Sequence, residues 1–218
     1  MTLLEPDVSL TDLALAGECG LFSALLRLSD AKQGALRGWF VLFFAATGVA
    51  ALLGAIAHGF VADTASTEYR LLWLAILGAI GTAAVASWAI GARLALSSAP
   101  AKLVTAVAIA SFSVYLVIII LMNQSFAVAV VYYLPAAFFL LVALMVAHLR
   151  ASHGPPNPAA AGVLLTFIGA YIQQAQIALP SLHLSHNALY HIVQALALLL
   201  IFLGAMQLIR PIARVRQQ

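Results

Sequence analysis

Polar residues are rare along this chain, and they punctuate seven long apolar runs. The runs cover about 9–28, 37–60, 69–95, 103–122, 126–148, 159–179 and 186–209. A bilayer core about 30 Å thick needs roughly 20 mostly apolar residues in a spanning helix. The pattern therefore predicts an all-α, polytopic membrane protein with a seven-helix transmembrane bundle. The first run is the most polar; runs three to seven carry no Asp, Glu, Lys or Arg through their centres. Strict alternation of apolar and polar residues is absent, which argues against a β-barrel.

The breaks between runs are short. Asn123-Gln124 separates runs four and five, Gly154-Pro155-Pro156-Asn157-Pro158 separates five and six, and Pro180-Ser181 ends run six. Pro and Gly clusters of this kind interrupt helices. Pro135 falls inside run five and predicts a kink that neighbouring helices can absorb in lipid. No linker is long enough to divide the chain, so residues 1–218 are expected to form one domain.

Composition agrees with this pattern. Of 218 residues, 64% are apolar and 8% charged, and the mean hydropathy is +1.07. An ordinary soluble domain is about a quarter charged, so a soluble enzyme and a disordered chain are excluded as defaults. The net charge of +3 forms no basic stripe, and no nucleic-acid partner is expected. The single cysteine, Cys19, excludes an internal disulfide or a multi-cysteine metal cluster and is expected to be a small packing residue. Glu5 and Asp7 stand where a cleavable signal would be basic, so none is expected.

The basic residues set an orientation. Arg27, Lys32, Arg37, Arg93, Lys102, Arg150, Arg210, Arg214 and Arg216 all fall at one end of the predicted bundle, and Arg70 alone falls at the other. Lys and Arg favour the cytoplasmic side. The N-terminus is therefore expected outside and the C-terminus inside, in a bacterial inner (plasma) membrane.

Candidate chemistry gathers at the opposite end. An ionisable side chain inside a span is costly and points to function. Asp12 and Glu18 fall in the outer half of run one, and His58 near the outer end of run two. Gln173, Gln174 and Gln176 fall in the outer half of run six, and His183, His186 and His191 around the start of run seven. Asp63 and Glu68 lie in the outer connection between runs two and three. His148 and His153 flank the cytoplasmic loop beside Arg150 and are expected to be solvated or interfacial.

The densest pattern is Ser185-His186-Asn187-Ala188-Leu189-Tyr190-His191. Asn187 and His191 are i and i+4 and share a helix face. His186 and His191 are about 140° apart at 3.6 residues per turn. They can converge only if His186 sits at a frayed or capping end, with Ser185 as a plausible cap. A catalytic zinc takes three protein ligands plus water. His58, His191 and one of His186 or His183 supply that number, with Glu18, Asp12 or Glu68 to orient a ligand or act as general base.

These features resemble the seven-transmembrane hydrolases that group the alkaline ceramidases with the progestin and adipoQ receptors. That family carries S-x-x-x-H in span two and H-x-x-x-H in span seven. Here Gly54-Ala55-Ile56-Ala57-His58 matches at the His, with Gly54 in the Ser position. Asn187-Ala188-Leu189-Tyr190-His191 matches at the second His, with Asn187 in the first position and His186 one residue away. Glu18 is similar to a span-one acid of the ceramidases, and Glu68 is placed like a span-three acid. The resemblance implies a zinc cofactor on His58, His186 and His191, and Glu18 and Glu68 as catalytic acids. It also implies hydrolysis of an amide or ester in a lipid-like substrate. Asp12, Asn187, Gln173, Gln176 and Tyr190 are then the supporting or substrate-contacting groups.

The rival expectation is a receptor, transporter or small-ligand binder that uses the same polar cavity without metal, through Glu18, His58, Gln173, Gln176 and Asn187. On either expectation the partners are the bilayer and a lipid-like or small amphiphilic molecule. A retinal protein is excluded, because Lys32 and Lys102 lie at loops or span edges. A haem would need a second pair of ligating histidines or an attachment motif.

Overall fold

The computed structural model describes residues 3–30, 33–150, 157–182 and 184–209. They form seven helices: α1 (Pro6–Leu28), α2 (Gly34–Phe60), α3 (Thr67–Ala95), α4 (Ser98–Leu121), α5 (Phe126–Arg150), α6 (Pro158–Gln174) and α7 (His186–Ile209). No strand occurs among the described residues. Six of the seven helices are long and apolar enough to cross a bilayer.

The exception is α6, and here the expected span of 159–179 is corrected. The helix has 17 residues, about 26 Å at 1.5 Å per residue, short of a roughly 30 Å core. It ends in a Schellman turn. Gln176 is left-handed (φ 53°); its N–H donates to the Gln173 carbonyl, and the Ile177 N–H donates to the Ile172 carbonyl at 3.0 Å. That position usually takes Gly or Asn, so the stop at a Gln carries no sequence signal. A short 3-10 turn, Pro180–Leu182, follows, and Leu179 pairs with Leu184 through both backbone bonds. This structured turn takes the place of the missing last helical turn.

Lipid tails are as apolar as leucine, so helices in a bilayer associate by close packing of small residues. The centre of the bundle follows that rule. Ala83, Ala84, Ala86, Ala89 and Ala92 of α3 are all at most 3% exposed, and α3 packs against α2, α4 and α5. Gly162 does the same for α6: a Cβ there would lie 2.5 Å from the Ala197 carbonyl oxygen of α7. α1 packs against α2 and α7, and α5 runs unbroken through Pro135.

Two features order the bundle. Toward the basic end, Phe22 of α1 stacks on Phe202 of α7 with ring centroids 4.3 Å apart, and Phe44 of α2 meets both edge-on. α4 is fastened outside the ring of the other helices. Its Tyr115 hydroxyl donates to the Leu77 carbonyl at 2.9 Å, and the same ring stacks on Tyr132 of α5. At the basic end, Arg37 donates to the Ser29 carbonyl and Arg150 to the Ala95 carbonyl, both at 2.8 Å. These bonds close loop and helix-end carbonyls that the backbone leaves open.

Candidate functional site

α1, α2, α3, α5, α6 and α7 enclose a cavity of about 260 Å³; no described α4 residue lines it. Its wall is mostly apolar, with Leu15, Ile76, Ile80, Phe126, Leu134 and Phe167 among the lining residues. The polar members include Asp12, His58, Gln173, Asn187, His191 and Gln194. They lie on the second turn of α1, the last turns of α2 and α6, and the first turns of α7. Sequence-distant elements therefore deliver them to one end of the bundle.

The centre of this polar set is Asp12 with His191. His191 Nε2 is 3.3 Å from Asp12 Oδ1, and the two side chains are only 11% and 7% exposed. The other ring nitrogen, Nδ1, is 3.1 Å from the Thr11 hydroxyl. Adjacent residues of α1 thus hold both edges of one imidazole. Thr11 is an interior residue of α1 whose hydroxyl also donates to the Asp7 carbonyl at 2.8 Å.

Asp12 occupies this position because Gly54 leaves room for it. A Cβ on residue 54 would lie 2.6 Å from Asp12 Oδ2. The carboxylate fills the space that a side chain on residue 54 would take.

Two further carboxylates clasp the mouth. Glu5 Oε2 is 3.2 Å from His58 Nδ1, and the Glu5 and Leu4 N–H groups donate to the His58 and Gly59 carbonyls. These are the open carbonyls at the end of α2. Asp7 Oδ2 accepts the Ser185 N–H at 2.9 Å, placing negative charge at the start of α7, where the helix dipole favours it. Ser185 caps α7 as expected, its hydroxyl accepting from the Ala188 N–H.

The expected site residues divide into two groups. Asp12, His58, Gln173, Asn187, Tyr190 and His191 line the cavity; His186, Glu18, Glu68 and Gln176 do not. His186 is the first residue of α7 and lies within the helix, so the angular separation from His191 stands and the ring stays off the cavity. Glu68 is exposed on the first turn of α3. Gln176 is the exposed left-handed residue that ends α6. Glu18 follows Thr11 by seven residues on the stripe toward α7, and its Oε2 is buried with no partner. His183 and His153 lie outside the described residues.

Among the described residues His58, His186 and His191 do not come together as a zinc set. Among the described residues no three His, Cys, Asp or Glu side chains are placed to hold a metal ion. His58 and His191 each already face a carboxylate, and their third expected companion, His186, points elsewhere.

Sequence reasoning missed Gln194, Thr11 and Glu5. Gln194 is 4% exposed and lines the cavity. Its Nε2 reaches the Thr166 hydroxyl at 3.4 Å, and its Oε1 has no partner. Asn187, His191 and Gln194 are i, i+4 and i+7, so the helical stripe that paired the first two contained the third.

The model of a family of unknown function (DUF6962) matches residues 8–210. The chain belongs to that family. The matched stretch contains every cavity-lining residue of this DUF6962 member. No curated protein and no solved structure matches the chain.

Proposed function

We propose that this DUF6962 member is an integral membrane protein that binds a small amphiphilic molecule in the six-helix cavity, without metal. One observation carries the reading: an apolar wall closes on a compact polar set at one end. That matches ligand sites generally, where apolar lining and a few placed polar groups fix orientation. The volume lies just below the roughly 300–1,000 Å³ of drug-sized sites, so the guest is small. The positive-inside bias supports an orientation with the polar end and the N-terminus outside and the C-terminus in the cytoplasm, and the proposed membrane is a bacterial plasma membrane.

The hydrolase reading has one observation in its favour, since Asp12, His58 and His191 line one cavity. It lacks a metal set among the described residues, and the motif's serine position is taken by Gly54 with Asp12 packed against it. Binding therefore fits the geometry better than zinc-dependent hydrolysis.

The test titrates octylamine, 1-octanol and octanoate into the protein in lipid nanodiscs, with empty nanodiscs as reference. At least one probe binds saturably, and Ala170→Phe, which fills the cavity from α6, removes that binding. Binding of none of the three above the reference, or unchanged binding in Ala170→Phe, overturns the reading.

A further inference from the structure

The polar end of the cavity holds a buried acceptor without a partner. Two neighbouring groups are already engaged: the Trp73 indole N–H donates to the Gln124 carbonyl at 2.7 Å, and both His191 nitrogens face α1 side chains. Two acceptors are not. Gln194 Oε1 is buried without a partner. Asp12 Oδ2 faces the hydrogen of Gly54, and no bond to it is made by the described residues. A buried acceptor left unmet is costly, so a guest that brings a donor to Gln194 Oε1 is favoured.

Charge narrows the guest further. Glu5, Asp7, Asp12, Asp63 and Glu68 lie at this end of the bundle, against Arg70 as its basic residue. A positive guest is drawn to such a mouth, and an anionic one is repelled.

The Asp12–His191 pair also holds a countable proton. With the Thr11 hydroxyl proton assigned to the shorter contact, on the Asp7 carbonyl, Nδ1 of His191 must carry its own proton and donate to Thr11. Nε2 and Asp12 Oδ1 then share one further proton, and the pair is neutral overall. A cation placed on Asp12 takes the place of that proton.

We propose that the cavity binds a primary-amine amphiphile as its ammonium form, anchored on Asp12 and Gln194, with release of the proton shared by Asp12 and His191. The exchange balances: R–NH3⁺ enters, one H⁺ leaves to water, and the site keeps its net charge. No covalent bond changes. The ammonium donates to Asp12 and to Gln194 Oε1, and the chain lies along Ile76, Ile80 and Phe167. The other titratable groups facing the pair are Asp7 on α1, His58 on α2 with Glu5 against it, Tyr133 on α5 and Tyr190 on α7. Asp7 and His58 have their own partners.

This inference rests on the binding function proposed above, and the same nanodisc titration separates the two. Octylamine binds at least about tenfold more tightly than 1-octanol, and octanoate binds least. Between about pH 6 and 8, where an alkylamine stays protonated, octylamine affinity rises by up to about tenfold per pH unit. Calorimetry in buffers of different ionisation enthalpy reads about one proton released. Asp12→Asn removes both the preference and the proton release, whereas His186→Ala, outside the cavity, changes neither. Equal binding of octanol and octylamine, or amine binding without proton release, overturns the amine proposal and leaves amphiphile binding standing. Binding of no probe overturns both.

Discussion

Asp12 and Gly54 are fitted to one another: the carboxylate of α1 lies where any side chain on residue 54 of α2 would begin. One position on α2 therefore decides whether a carboxylate can stand beside His191. Gly54→Ser is expected to push Asp12 off His191 and to destabilise by about 1–3 kcal/mol, the usual cost of overpacking. The double variant Asp12→Gly with Gly54→Ser should recover part of that loss. A thermal-unfolding double-mutant cycle should give a coupling of about 0.5–3 kcal/mol; strict additivity would mean that the two side chains do not compete for space.

The assignment of the Thr11 proton has its own observable. Nitrogen NMR of labelled His191 is expected to show Nδ1 protonated in the wild type. Thr11→Val should leave Nδ1 facing a methyl group and cost about 1–3 kcal/mol, while Thr11→Ser keeps the signal. A bare Nδ1 in the wild type would reverse the direction of the Thr11 bond.

Asp7 holds the start of α7 through the Ser185 N–H. Asp7→Ala is expected to cost about 0.5–2 kcal/mol, as for loss of a helix cap. Amide exchange should accelerate at Ser185 and the first turn of α7 while the Phe22–Phe202 region stays protected. Uniform acceleration across α7 would show global rather than local destabilisation.

Much of the architecture is written in the apolar runs, because a bilayer demands a minimum length of apolar helix wherever the chain crosses it. α7 is found at 186–209 as the run predicts, and α2, α3 and α5 differ from their runs by a few residues at most. The end of α6 was not legible, since a left-handed Gln at position 176 replaces the glycine that ordinarily announces such a stop. Depth was legible too: Asp12, His58, Asn187 and His191 all reach one cavity. Rotation about each helix axis was not. Glu18 and His186 have the right depth but turn elsewhere, and only packing against neighbouring helices decides that. Glu5 was out of reach for another reason, because its role depends on a nonhelical segment docking onto the end of α2.

The orientation proposed from the basic residues has a direct check. In a Cys19→Ala background, Thr64→Cys in the α2–α3 connection should react with a membrane-impermeant maleimide in intact cells. Pro100→Cys, near the start of α4, should react only after permeabilisation. The reverse pattern would place the amine-facing end of the cavity in the cytoplasm and invert the direction from which a guest approaches.

Zinc provides the sharpest contrast between binding and hydrolysis. A metal bound only by the folded protein stabilises it by about 2.7 kcal/mol at one hundred times its Kd. His58 and His191 each face a carboxylate instead, and His186 lies outside the cavity, so added zinc is expected to leave the unfolding temperature unchanged. Metal analysis of protein prepared without chelators should likewise find no stoichiometric zinc. A zinc-dependent rise in stability that disappears in both His58→Ala and His191→Ala would restore the metal reading. It would require His58 and His191 to release Glu5 and Asp12, and those carboxylates would then be free to orient the ligands or to take a proton from metal-bound water.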